Sequence, residues 1–141
     1  MYVLAALACF HARAKDGDLE ISSVFESLGV KRFPAKLPAF TVVSRVAWGL
    51  GEPGGLVLGF DLLDGHGRPL MEPIPVRQRV ESPGPDRLAA QCALFNVPPL
   101  VADGPGLWQG IVSVDGREVS RVPILVHERA PGDVAQKIPA D

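Results

Sequence analysis

The sequence predicts an all-β fold, an antiparallel sandwich of two sheets, and three observations carry that expectation. Short apolar runs rich in Val, Ile, Leu and Phe recur along the chain, each bounded by Gly, Pro, Asn or Asp. Asp-Gly pairs stand between such runs at 16–17 and at 115–116, and this dipeptide accepts the left-handed backbone that a two-residue hairpin requires. The 15 glycines and 14 prolines fall without a period, which gives many turns and leaves little room for long helices. A chain of 141 residues suits one domain and buries ample surface for a single core.

The apolar opening, "MYVLAALACFHA", reads as the first strand, over residues 2–11. Its Leu7-Ala8-Cys9 looks like the cleavage box of a bacterial lipoprotein, but no Lys or Arg precedes the run and the apolar span before Cys9 is at the lower limit for a signal. It is also far short of the ~20 residues of a membrane helix. Asp16-Gly17 then turns the chain into a second strand at 19–26. The segment "LGVKRFPAKLP" carries two prolines and three basic residues without a period, so it is expected to connect one sheet to the other.

Strands at 39–48 and 56–64 follow, separated by a glycine-rich turn and closed by "DGHGRP". A fifth strand within 70–81 is confined to a sheet edge by Pro73 and Pro75. "RLAAQCALFNV", 87–97, contains helix formers, yet its neighbours decide for strand. In the last pair Trp108, Gly110, Val112 and Val114 share one face; after Asp115-Gly116, Val122, Ile124 and Val126 face the core while Arg121 and His127 point away. Pro123 implies a free edge there. The expected domain covers 1–127 with about seven to eight strands, immunoglobulin-like in arrangement, and 128–141 is expected to be a flexible polar tail.

The opening "MYVLAA", the run "FPAKLPAF" followed by Val42, Val43 and Arg45, and Gly106-x-Trp108 leading to Val114-Asp115-Gly116 resemble a family of short bacterial proteins of uncharacterised function. The resemblance spans about residues 1–127. It implies an immunoglobulin-like β-sandwich in a bacterial cytoplasmic setting and brings no catalytic residues with it.

Charge and composition narrow the chemistry. A net charge of −2 supplies no positive field for phosphate backbones, so nucleic acid is not an expected partner, and Lys31, Arg32 and Lys36 read as a solvated connection. Two cysteines, Cys9 and Cys92, are too few for a stapled secreted scaffold and read as small buried residues in a reducing compartment. "GLGEPG" at 49–54 matches a dinucleotide-binding spacing, but Pro53 and the strand that follows replace the helix whose amides would hold a pyrophosphate. "DLLDGHG" at 61–67 lacks the alternating oxygen ligands and terminal Glu of a calcium loop. Cys9, Cys92, His11, His66 and His127 show no paired zinc spacing. No G-x-S-x-G elbow occurs, and Glu20, Glu26, Asp61 and Asp64 are not set apart by spacing. Trp48 and Trp108 share their faces with aliphatic residues and read as core.

The expected function is therefore a non-enzymatic binding or assembly module without metal, cofactor or membrane span, whose protein partner or small ligand the sequence does not identify. Both faces of the first strand are apolar, Val3, Ala5, Leu7 and Cys9 alternating with Tyr2, Leu4, Ala6, Ala8 and Phe10. In a two-layer sandwich only one face meets the core, so the other calls for a cover, either residues 28–38 or a second copy in a homodimer. The alternatives are a carbohydrate or small-ligand site on the end loops 49–55 and 64–69, and an enzyme with a spatially assembled site near His66 or His11.

Overall fold

Period-two alternation of buried and exposed residues marks the strands most clearly at 106–114 and in the second half of 117–128. The computed structural model describes residues 1–15, 18–48, 56–78 and 89–132; the Asp16-Gly17 turn, the 49–55 loop, residues 79–88 and the tail from 133 lie outside the described residues. Among the described residues there are eleven strands and no helix: β1 Tyr2–Lys15, β2 Asp18–Phe25, β3 Ser27–Val30, β4 Ala35–Leu37, β5 Phe40–Trp48, β6 Leu56–Leu63, β7 Ile74–Gln78, β8 Ala89–Val97, β9 Leu100–Ala102, β10 Gly106–Val114 and β11 Arg117–Glu128. The all-β class and the two-sheet sandwich are as the sequence predicts. The strand count is higher than expected because β3, β4 and β9, of three or four residues each, are too short to show alternation.

One sheet has the order β2-β1-β5-β8 and the other β3-β11-β10-β6-β7, while β4 and β9 form a separate antiparallel pair. Every pairing is antiparallel except that of β3 with β11, where Leu28 lies beside Val126 and Gly29 beside His127. The segment 27–38 indeed leaves the first sheet: β3 joins the second, β4 pairs with β9, and β5 returns to the first. β7, with Pro73 just before it and Pro75 inside it, is an edge strand, as expected.

The core lies between the two sheets. Ala8, Phe40, Val42, Val46, Trp48 and Phe95 enter it from one side, and Leu58, Phe60, Leu62, Trp108, Val112 and Ile124 from the other. Both tryptophans are thus core residues. In β10 half-buried or exposed residues alternate strictly with Trp108, Gly110, Val112 and Val114, all buried, and β11 answers with Val122, Ile124 and Val126. Pro123 lies beyond the reach of β3, which pairs only from Leu125 onward, so its missing N–H leaves no ladder bond unmade. β11 runs through Glu128, and the Arg129 N–H donates to the Val30 carbonyl at 2.7 Å, so the ordered fold extends into the expected tail.

Candidate functional site

The first strand combines an unpaired stretch of edge, an uncharged run and exposed large apolar side chains. β1 is fourteen residues long, but β2 pairs only with Ala8–Lys15, while β5 pairs with its other side from Tyr2 to Cys9. Along Tyr2–Leu7 the β2 side of the strand therefore has no partner strand among the described residues. No charged side chain occurs between Tyr2 and Phe10. Tyr2 is 60% exposed and Leu4 51%, beside exposed Val3.

The two apolar faces of β1 have different fates. Ala6, Ala8 and Phe10 belong to the core between the sheets. Cys9 lies on the opposite face, opposite Thr41 of β5 and Val24 of β2, and it is buried, as are Val43 and Ala47 on the same face of β5. Of the segment 28–38, Leu28 and Leu37 insert into the core between the sheets. Burial pushes the Cys9 thiol pKa up, against the smaller opposing effect of a backbone hydrogen bond at His11.

His66 sits at the end of the sandwich on the loop that follows β6. Asp64 builds this loop: its Oδ1 accepts the N–H of His66 at 2.8 Å and of Arg68 at 2.9 Å, and its own N–H donates to the Arg68 carbonyl. The Arg68 N–H, then the His66 N–H and the Arg68 charge, hold the Asp64 carboxyl below its ordinary value. Asp64, His66 and Arg68 line a cleft of about 150 Å³ with Asp103, Pro105 and Trp108. The aromatic in this cleft, Trp108, is buried, so it offers no stacking platform. Of the two end loops expected to bind a ligand, 49–55 lies outside the described residues.

His11 is exposed on the β1–β2 hairpin, where it lines a shallow depression with Arg13, Glu20, Ile21 and Ser22. Glu20 is engaged by Arg13 across the two strands. On the outer face of the second sheet Arg121 donates Nε to both Glu118 carboxylate oxygens and Nη1 to Gln109 Oε1, which holds the Glu118 carboxyl below its ordinary value. Among the described residues no three His, Cys, Asp or Glu side chains converge on a point that would hold a metal ion. No helix among them is long and apolar enough to cross a membrane.

One grouping escapes sequence inspection. The parallel pairing of β3 with β11 carries Arg129 to Lys31, Arg32 and Lys36, and the four line a groove of about 410 Å³ floored by Leu28, Val30, Ala35, Leu37 and Pro38. The clustered "VKR" and Lys36 are visible in the sequence, but a fourth cation nearly one hundred positions away is not. A search among curated proteins gives no match. A family model matches residues 4–127, and the chain therefore belongs to DUF6941, a family of unknown function.

Proposed function

We propose that the chain is a non-enzymatic binding and assembly module, immunoglobulin-like in build and bacterial-cytoplasmic in setting, that joins a second copy of itself along the first strand. The observation that carries this reading is the uncharged, unpartnered edge of β1 at Tyr2–Leu7 with its exposed Tyr2, Val3 and Leu4. A strand edge presents a row of N–H and C=O groups that template pairing, and proteins that avoid it place Lys, Pro or an inward charge there. None of these stands in Tyr2–Leu7, where the protection present is a register shift of β1 against β5 between Val3 and Ala5. An antiparallel meeting of two such edges about a two-fold axis sets each strand against its own sequence, so no like charges oppose one another and apolar side chains meet in cross-strand pairs. Neither Cys9 nor Cys92 forms a disulfide, in keeping with a reducing compartment.

A ligand at the end loops is the second reading, supported by the cleft between Asp64–Arg68 and Asp103–Gly106. Catalysis there has less support, because Asp64 is occupied by the Arg68 side chain and the His66 and Arg68 backbone amides rather than by the His66 imidazole.

Light scattering behind a sizing column tests the assembly. The expected mass at micromolar concentration is twice the 15.0 kDa of one chain. Leu4→Lys and Ala5→Pro should return it to the single-chain mass, the first by bringing like charges together and the second by placing in the strand a residue that does not support pairing. A wild-type monomer, or a dimer indifferent to both substitutions, removes the proposal.

A further inference from the structure

The groove beside β3 has the composition of an anion site in a chain that is acidic overall. Four of its 14 Lys and Arg residues, Lys31, Arg32, Lys36 and Arg129, line this one concavity, no Asp or Glu is among the described lining residues, and the net charge of the chain is −2. None of the four makes an ion pair with a carboxylate among the described residues, whereas Arg13, Arg68 and Arg121 pair with Glu20, Asp64 and Glu118. Like charges gathered in a concave site repel one another unless a counter-charge is supplied.

The backbone under the cluster is held in place. β4 is tied to β9 from Ala35–Ala102 to Leu37–Leu100, and the Arg129 N–H is bonded to Val30 O. Gly29 serves Arg129 directly: a Cβ at position 29 would lie 2.7 Å from Arg129 Cγ and 3.2 Å from His127 Cε1. The absent side chain lets the aliphatic stem of Arg129 lie across the strand while the guanidinium reaches the groove. The floor is apolar, formed by Leu28, Val30, Ala35, Leu37 and Pro38. A volume of about 410 Å³ is within the ordinary range for small-molecule sites.

We infer that this groove binds a small organic phosphate, a phosphomonoester carried on an apolar body, with Arg129, Arg32, Lys31 and Lys36 around the phosphate and the half-buried Val30, Ala35 and Pro38 against the body. A phosphate monoester brings close to two negative charges and three strong acceptor oxygens, and guanidinium groups meet such oxygens with paired hydrogen bonds. Inorganic phosphate satisfies the cations and leaves the floor in water; a neutral apolar molecule does the reverse. The site requires both halves.

Calorimetric titration of the full chain with 1-naphthyl phosphate, inorganic phosphate and neutral 1-naphthol tests this. Naphthyl phosphate should bind at least about tenfold more tightly than either fragment, a difference of one decade in Kd, and raised salt should weaken it. Arg129→Gln and Lys36→Gln should each cost about tenfold, Arg129→Lys should retain part of the affinity, and Arg13→Gln on the distant hairpin should change nothing. Should Arg129→Gln fail to fold, the paired Lys31→Gln and Arg32→Gln change at exposed positions carries the same expectation. Equal binding of naphthol, affinity unchanged by the groove substitutions, or no binding at millimolar naphthyl phosphate overturns the assignment. Binding of a poly-glutamate peptide without binding of naphthyl phosphate also overturns it, in favour of an acidic protein partner.

Discussion

Phe60 of β6 and Phe95 of β8 stack across the two sheets, their ring centroids 5.1 Å apart and their planes inclined by 17°. Each belongs to a different sheet and each is fully buried, so this pair is a direct link between the two layers. Phe95→Ala removes the ring from both the stack and the core and should destabilise the fold by about 3–5 kcal/mol. Phe95→Leu should cost less, because most of the volume is kept. Guanidinium denaturation checks both, with a lowered midpoint and an unchanged slope as the expected result.

How far the sequence reveals the fold follows from how local each signal is. The β10–β11 hairpin is legible residue by residue, since alternation over nine residues and the Asp-Gly turn lie within one short window. β5 and β8 are legible as apolar runs, and their pairing from Phe40–Val97 to Trp48–Ala89 accords with the expectation of strand over helix at 87–97. β3, β4 and β9 are not legible: four residues cannot display a period, and β3 owes its existence to a parallel pairing with β11 nearly one hundred positions later. The basic groove depends on that same pairing. Lys31, Arg32 and Lys36 alone are an ordinary solvated loop in a sequence, and only the fold brings Arg129 to the same groove.

The Asp115-Gly116 turn should tolerate little. Both residues are left-handed, with φ of 50° and 81°, as a primed hairpin turn demands, and Asp115 also joins the turn to β6: its Oδ1 accepts the Val57 N–H at 3.0 Å while its N–H donates to the Val57 carbonyl. Gly116→Val places a β-branched residue where L side chains are strained and should cost about 1–3 kcal/mol. Asp115→Asn keeps the acceptor and the turn preference, so its melting temperature should stay near that of wild type. A melt series in which Gly116→Val is neutral would show that the turn relaxes to another type.

Acid should weaken the end loop in a defined direction. The Asp64 carboxyl is held below its ordinary value by the Arg68 and His66 amides and the Arg68 charge, and the Glu118 carboxyl by Arg121. A carboxyl with a lower pKa in the folded than in the unfolded state binds protons less readily when folded. Its contribution is therefore fully present above the ordinary carboxylate values of about 3.9 to 4.3 and is lost as pH falls through the lower folded value. Melting temperature should stay level from neutral pH down to about pH 5 and fall below about pH 4. Asp64→Asn retains an acceptor for both amides without the titrating group, so it should flatten part of that fall. A profile identical to wild type would exclude Asp64 as a source of the acid sensitivity.

The two cysteines should separate by rate when a thiol reagent is added to the native protein. Cys9 is buried in the middle of β1, with β2 and β5 on either side, and burial raises its pKa, so both access and thiolate fraction are low. Cys92 is half-buried on β8, an edge strand of the same sheet, and reagent reaches it without parting two ladders. Neither should react at the speed of a free thiol, and Cys92 should react before Cys9. Labelling of Cys9 then requires local opening of the β2-β1-β5 ladders, and its rate should rise with denaturant well below the unfolding midpoint only if those strands open apart from the rest. Mass spectrometry of the labelled protein after timed quenching assigns each site. Rapid labelling of Cys9, at or ahead of the Cys92 rate, would show that β1 is not held between its neighbours, and the strand edge proposed for self-association would then lack the rigid support that pairing requires.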